Sequence, residues 1–317
     1  MILIIGGMGF VGQHTARRFL DVGEEVIVTQ FRNRRVPEFL EADLDKGMRV
    51  EPVDVTDAHQ VFELVKRTKP AGIVNLVNPR PGSLNWASEY KVNMDGLINV
   101  LEAARINEVG RVQIASSMTV YQGAPEGPYR ESMPLPMESR NLTEAFKKSW
   151  EILALNYADS KGVDVVIGRV GGIYGPLYET MGHHVSKMCY AAAHGEAADF
   201  SKSRMGQPYA EESRGYCYVK DTAAGVQLLQ MTPALNHRTY NISGGAASCM
   251  TYGQIAEAVQ RVAPGTEIPM PEGPGPNAKA NPYMDISWAR EDLGFEPQYD
   301  LERGVEEYIG WLKGHAH

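Results

Sequence analysis

Apolar residues fall along this chain in short runs separated by longer stretches of mixed polarity, and the alternation repeats through the first half. Residues 1–5 (Met-Ile-Leu-Ile-Ile) are wholly apolar, as a strand buried on both faces of a parallel sheet must be. Further strand-like runs stand at 25–29, 49–53, 73–77, 111–115 and 163–170. Apolar positions at helical spacing mark 92–104 and 141–159, and 14–20 is helix-compatible. Strand and helix in alternation predict an α/β fold, a doubly wound parallel sheet with helices on both faces. After Tyr174-Gly175-Pro176 the pattern loosens: Pro, Gly, His and Met are scattered over 177–213, which suits loops and short helices. Helical spacing returns at 221–230, 251–262 and 301–312, a short strand at 239–242 is placed to rejoin the sheet, and 272–282 is a Pro/Gly-rich loop.

The junction after the first strand carries the most chemistry. Gly6, Gly9 and Gly12, spaced G-x-x-G-x-x-G, fall in the turn between strand and helix. There the lack of Cβ atoms lets the backbone approach a diphosphate, and the helix start at Phe10 and Val11 offers free N–H groups and a partial positive charge. A Rossmann-type dinucleotide-binding domain is therefore expected over residues 1–176 with about 214–245. A smaller interleaved substrate-binding lobe takes 177–213 and 246–317. An acidic residue at the second strand's end would read an unphosphorylated ribose; Gln30 stands there instead, followed by Arg32, Arg34 and Arg35. Guanidinium groups near the ribose favour a 2′-phosphate, so NADP is preferred over NAD, a solvated basic loop being the bland alternative. Asp54 and Val55 follow the third strand, where Asp54 either accepts from the adenine amino group or serves as a turn residue. Leu76, with Asn75 and Asn78, stands at the fourth strand's end near the expected nicotinamide.

The 317 residues are 43% hydrophobic and 22% charged, ordinary for a globular enzyme with a small-molecule substrate. A net charge of −8 argues against nucleic acid or an anionic membrane as partner. Cys189, Cys217 and Cys249 lack metal-ligand or disulfide spacing and read as small buried hydrophobes. No metal site is expected, His183-His184 reading as solvated or substrate-loop histidines. No run reaches membrane-spanning length and the first strand begins at residue 1, so a cytoplasmic protein is expected.

The fifth strand ends in Ala115-Ser116-Ser117-Met118-Thr119-Val120-Tyr121, and 163–170 leads into Gly171-Gly172-Ile173-Tyr174-Gly175-Pro176. With the glycine turn, Asp54-Val55-Thr56-Asp57, Asn93-Met94-Asp95-Gly96, Val219-Lys220-Asp221, Tyr240-Asn241-Ile242-Ser243-Gly244-Gly245 and Leu293-Gly294-Phe295-Glu296-Pro297, these segments span the whole chain in order. In them the chain resembles the extended short-chain dehydrogenase/reductases, in particular their NAD(P)-dependent epimerase/dehydratase branch. The resemblance implies an oxidoreductase or epimerase acting on a hydroxyl or carbonyl of a sugar-like or sugar-nucleotide substrate. The alternatives are a redox-neutral lyase or aldol-type enzyme and a non-catalytic NADP-binding regulator. It also implies a homodimer paired through the two long helices after the fourth and fifth strands. Ser117 matches the family's serine, with Ser116 and Val170 at the cofactor edge. Lys147 matches the lysine of Y-x-x-x-K, which binds the nicotinamide ribose, and Asn93 matches an asparagine that braces the active-site helix.

The tyrosine position then falls on Thr143. An unassisted threonine hydroxyl is far too weak an acid to replace the phenol, so Tyr121, Tyr129, Glu131, Glu144 and Tyr174 become candidate proton carriers. On the substrate side, Arg214 matches an arginine that holds a diphosphate. Gly172 replaces a diphosphate-contacting asparagine and, with Gly171, would open room against the nicotinamide.

Overall fold

The structure, a computed structural model, describes every residue except 32–34, 80–82, 179, 204, 277 and 316–317. Its first half is a β–α alternation: β1 (Ile2–Ile5), α1 (Phe10–Asp21), β2 (Val26–Gln30), a short α2 (Glu38–Glu41), β3 (Met48–Pro52), α3 (Ala58–Thr68) and β4 (Gly72–Asn75). There follow α4 (Trp86–Tyr90), α5 (Gly96–Ile106), β5 (Arg111–Ser117), α6 (Leu142–Lys161) and β6 (Val165–Val170). The second half holds β7 (Gly172–Tyr174), α7 (His184–His194), β8 (Ser213–Tyr218), α8 (Val219–Met231), β9 (Thr239–Ile242), β10 (Cys249–Thr251), α9 (Tyr252–Val262), α10 (Ser287–Leu293) and α11 (Leu301–Gly314).

Among the described residues, seven strands make one parallel sheet in the order β3-β2-β1-β4-β5-β6-β9, so β9 rejoins it as expected. β1 is central: Ile4 lies opposite Val28 on one side and Val74 on the other. Alternate residues of β1 serve opposite faces. Leu3 and Ile5 join α3, α5 and α6 through Val61, Leu64, Val100 and Trp150; Ile2 and Ile4 join α1 and α8 through Ala16, Phe19 and Val226. Each fully buried aliphatic side chain contributes roughly 1.5–3 kcal/mol.

β7 and β8 leave this sheet and form a second one with β10, in the order β10-β8-β7. Its core gathers Tyr174, Tyr216, Tyr218, Tyr252 and Tyr308 with aliphatic residues of α7, α9 and α11. α9 begins with a capping box between Thr251 and Gln254. α3 and α7, which hydrophobic spacing did not single out, are true helices; Asp57 caps the first by accepting from the amides of His59 and Gln60. The helix expected at 92–104 is interrupted. Lys91–Asp95 forms a π-helical turn between α4 and α5. No helix of the described residues is long and apolar enough to cross a membrane.

Candidate active site at the carboxyl ends of the central strands

The turn from β1 to α1 is built by close packing. A Cβ on Gly12 would lie 2.6 Å from the carbonyl oxygen of Gly6, and one on Gly7 would lie 2.7 Å from the Val28 side chain. Gly6 adopts φ +76°, and its Cα hydrogen faces the Leu76–Val77 peptide, 3.0 Å from where a Cβ would stand. The turns after β1 and β4 are therefore packed against each other. α1 starts at Gly9 without a side-chain cap and with no acidic residue in its first turn. An uncapped, glycine-lined helix start with no acidic residue in its first turn fits a dinucleotide pyrophosphate. Such a cofactor supplies reversible two-electron chemistry at its nicotinamide.

Around this cradle, Gln30 is half-buried at the end of β2, and Arg32 and Arg34 lie outside the described residues. Arg35 is exposed and stands 3.6 Å from Glu41. One oxygen of Asp54 accepts from both the amide and the hydroxyl of Thr56, at 2.9 and 2.8 Å, so the turn role is filled. The Val55 carbonyl accepts from Asn99 at 2.9 Å. Asn78 is exposed beyond β4, while Asn75 is buried and accepts from the Val77 amide.

α6 brings Thr143 and Lys147 one turn apart on one face. Its start is set by Asn141, whose side chain accepts from the Glu144 amide. Thr143 is half-buried and Lys147 buried; with Asn78, Glu89, Asn93 and Phe146 they line a small cavity at the end of β4. The Lys147 ammonium donates to the Ala115 carbonyl at 2.7 Å and stands 3.8 Å from the Trp150 ring centroid. Burial pushes it down to about 7, against a smaller upward pull from Glu151. Asn93 sits in the π-helical turn; its amide donates to the Glu89 carbonyl at 2.7 Å and its own carbonyl accepts from the Trp150 indole at 2.8 Å. Ser117 is half-buried at the end of β5, where its hydroxyl accepts from the Thr119 amide.

The other candidate proton carriers are held in buried networks. Tyr121 donates to Asn241 at 2.9 Å and accepts from Arg169 at 2.7 Å; burial pushes its phenol up to about 12. Arg169 forks onto Glu151 at 2.6–3.2 Å, and Ser116 donates to the same carboxylate, so the Ser116 hydroxyl faces this pair. Tyr129 is buried against Tyr121 at 5.3 Å, and Glu131 accepts from the Asn241 amide at 2.7 Å. Glu144, fully buried, pairs with Lys148 at 2.6 Å. Tyr174 is buried in the second core beside Tyr218, and burial holds its phenol far up. None of these five points into the small cavity beside Lys147.

On the substrate side, the room expected beside Gly171 and Gly172 is occupied by Ser243 and the Tyr216 ring, so those glycines serve packing. Val170 is half-buried at the end of β6. Arg214 on β8 donates to Glu212 at 2.7 Å, while its Nε is buried with no hydrogen-bond partner among the described residues. Sequence reasoning missed Lys279, whose ammonium donates to the carbonyls of Gln122 and Ala124 at 3.0 and 2.6 Å; desolvation, then Arg140 and Arg214, push it down. Lys279 thus ties the loop before α10 to residues 122–124. His184 is buried and His183 half-buried: His183 stacks on Tyr178, and His184 reaches Ser203 and the Gly206 carbonyl. Cys189 and Cys217 are buried and Cys249 half-buried, all as free thiols.

A larger cleft of about 740 Å³ lies between α1, α8 and α11. No predicted site residue lines it, and its charges are already engaged: Lys220 with Glu307, Arg17 with Asp21 and Asp43, Arg18 with Gln227.

The model of the NAD dependent epimerase/dehydratase family matches residues 2–243. The chain belongs to that family. It is 28% identical to UDP-glucuronic acid decarboxylase 6 of Arabidopsis thaliana, over 96% of this chain and 86% of that protein. It is 26% identical to UDP-glucose 4-epimerase of Mus musculus, over 98% and 96%. Among solved structures, UDP-glucose 4-epimerase of Thermus thermophilus in complex with NAD superposes with a TM-score of 0.77 at 22% identity, covering 99% of each chain. That likeness shows the same Rossmann-type α/β fold.

Proposed function

We propose that this enzyme binds NAD(P) in the β1–α1 cradle and acts on the hydroxyl or carbonyl of a nucleotide-linked sugar. The observation that carries the reading is a single edge of the sheet holding an uncapped glycine turn, the buried Lys147 and the half-buried Thr143 together. Lys147 and Ser117 are its candidates for the nicotinamide ribose and the reacting oxygen. Gly9, Phe10, Val11 and Gly12 take the pyrophosphate. Arg214, whose Nε is buried without a hydrogen-bond partner among the described residues, is the candidate for the positive charge that a sugar nucleotide's diphosphate needs. The relatives whose names include UDP-glucuronic acid and UDP-glucose support the same substrate class.

Three finer points belong to this proposal. NADP is preferred over NAD, because Gln30 supplies no carboxylate to the ribose and arginines follow it. A homodimer pairs through α5 and α6, supported by the exposed Ile98, Ile152 and Leu153 on those helices. A cytoplasmic location agrees with three unpaired thiols.

The test is mass spectrometry of natively purified protein for retained dinucleotide, followed by UDP-, GDP- and dTDP-linked sugars with nicotinamide fluorescence and product sugars recorded. Retained or titratable dinucleotide and a changed sugar are expected. Absence of binding to all four dinucleotide forms would refute the proposal.

A further inference from the structure

The parallel sheet ends at β9, and an edge strand leaves its outward backbone groups for other parts of the chain to cover. Here the cover comes from the wall of residues 122–141, which runs from the end of β5 to the start of α6, and from residues 282–285. Asn241 of β9 makes the connection. Its backbone amide donates to the Glu131 carboxylate at 2.7 Å, and its side-chain amide donates to the carbonyls of Tyr129 and Asp285 at 3.0 and 2.8 Å. Its side-chain oxygen accepts from Tyr121 at 2.9 Å, so this fully buried side chain has a partner for both of its polar atoms. Tyr129 and Asp285 are also joined to the same junction by their own amides, which donate to the Tyr283 and Tyr129 carbonyls at 2.8 and 2.9 Å. Asn241 stands opposite Arg169 on β6, and the Tyr121 hydroxyl bridges the two side chains. Through Arg169 and Glu151 the same run of bonds reaches α6. On the far side, residues 282–283 pack on β8: a Cβ on Gly215, next to Arg214, would lie 3.3 Å from the Pro282 carbonyl oxygen.

Resting on the functional reading above, we infer that Asn241 is a positioning residue that sets how far the Arg214 end of the site stands from the reacting end. The wall follows Ser117 closely and leads into Thr143 and Lys147, whereas residues 282–283 lie against β8 beside Arg214. Asn241 holds one carbonyl from each, Tyr129 of the wall and Asp285 of the second segment, so one side chain fixes their separation. A nucleotide-linked sugar has to reach both ends at once, its diphosphate at Arg214 and its hydroxyl or carbonyl at Ser117. Only an amide offers two donors and an acceptor in one plane at this length. Asn241→Asp keeps an acceptor for Tyr121 and removes the two donors, which leaves two carbonyls unpaired where water does not reach. The glycine cradle lies outside this circuit, because β4, β5 and β6 separate β1 from β9 in the sheet.

Two measurements test this. In the wild-type protein the Tyr129 and Asp285 amides should exchange hydrogen more than about 100-fold slower than an open loop. Exchange at open-loop rates overturns the assignment. Asn241→Asp should speed both amides at least about tenfold and raise KM for UDP-glucose or UDP-glucuronate by about 10- to 100-fold. Its dinucleotide Kd should stay within about twofold of wild type, as expected for a distant, independent site. Asn241→Ser, which removes the same donors without adding charge, should split the two constants in the same way. Equal rises in KM and dinucleotide Kd would mark a general loosening and overturn the assignment, as would an unchanged KM. Wild-type protein that changes no nucleotide sugar counts against the functional reading alone, and the exchange rates of the two amides still decide whether Asn241 holds the junction.

Discussion

Removing the carboxylate of Glu151 should be among the most damaging single changes to this fold. Its two oxygens accept a forked pair of bonds from Arg169 and the Ser116 hydroxyl, all buried between α6, β5 and β6. Glu151→Ala leaves the Arg169 guanidinium in the interior with only the Tyr121 hydroxyl and the Glu131 carbonyl as acceptors among the described residues. Breaking such a buried pair from one side costs roughly 3–5 kcal/mol. At about 2 °C per kcal/mol for a chain of this size, Tm falls by roughly 6–10 °C. The assay is thermal unfolding by circular dichroism at low and high salt; buried charges are little screened, so salt should not rescue the variant. The double variant Glu151→Met with Arg169→Met should recover much of the loss, because the uncompensated charge is gone. A Glu151→Ala protein melting within about 2 °C of wild type would refute the reasoning.

Three further outcomes follow from the structure. His14 and His183 are both pushed down to about 4 by burial, below the unfolded value of about 6.5. The unfolded chain therefore binds more protons between those values, and stability should fall as pH drops from about 6.5 to 4, by about 3 kcal/mol per histidine when complete. Unfolding midpoints in urea across that range should show the slope, and His183→Phe should flatten it. Gly12→Ala, whose Cβ meets the Gly6 and Gly7 backbone at 2.6 Å, should weaken dinucleotide binding more than about tenfold in calorimetry; wild-type affinity would contradict the close-packed turn. Lys148→Met should leave the Glu144 carboxylate buried without its cation and speed amide hydrogen exchange in residues 136–140, while exchange in β1 and β4 stays as in wild type.

Much of the architecture was legible because its signals are local. Unbroken apolar runs marked the central strands, and glycine spacing marked the β1–α1 turn. The second sheet was not legible: β7 and β10 have three residues each, too few to show a period, and their partner β8 is fixed by contacts from residues far along the chain. For the site, Lys147 and Thr143 were singled out because they occupy the lysine and tyrosine positions of the pattern of the family that the chain resembles, a four-residue offset readable in one dimension. Tyr121 and Tyr174 drew attention through proximity in sequence to the strand ends. Their burial depends on Asn241, 120 positions from Tyr121, and on the α11 tyrosine Tyr308, neither of which any local pattern announces. Lys279 escaped notice for the same reason, in a loop whose composition signals only irregularity.

The Lys279 tie also bears on how the molecule comes into being. The wall of residues 122–141 is synthesised early, together with the strands it borders, but the lysine that fastens its first turn is added more than 150 positions later. A nascent chain halted after β9 would own a complete parallel sheet and its glycine cradle while its wall waited for a clasp still inside the ribosome. Completion of the glycine cradle and fastening of residues 122–124 should thus come at different moments of translation.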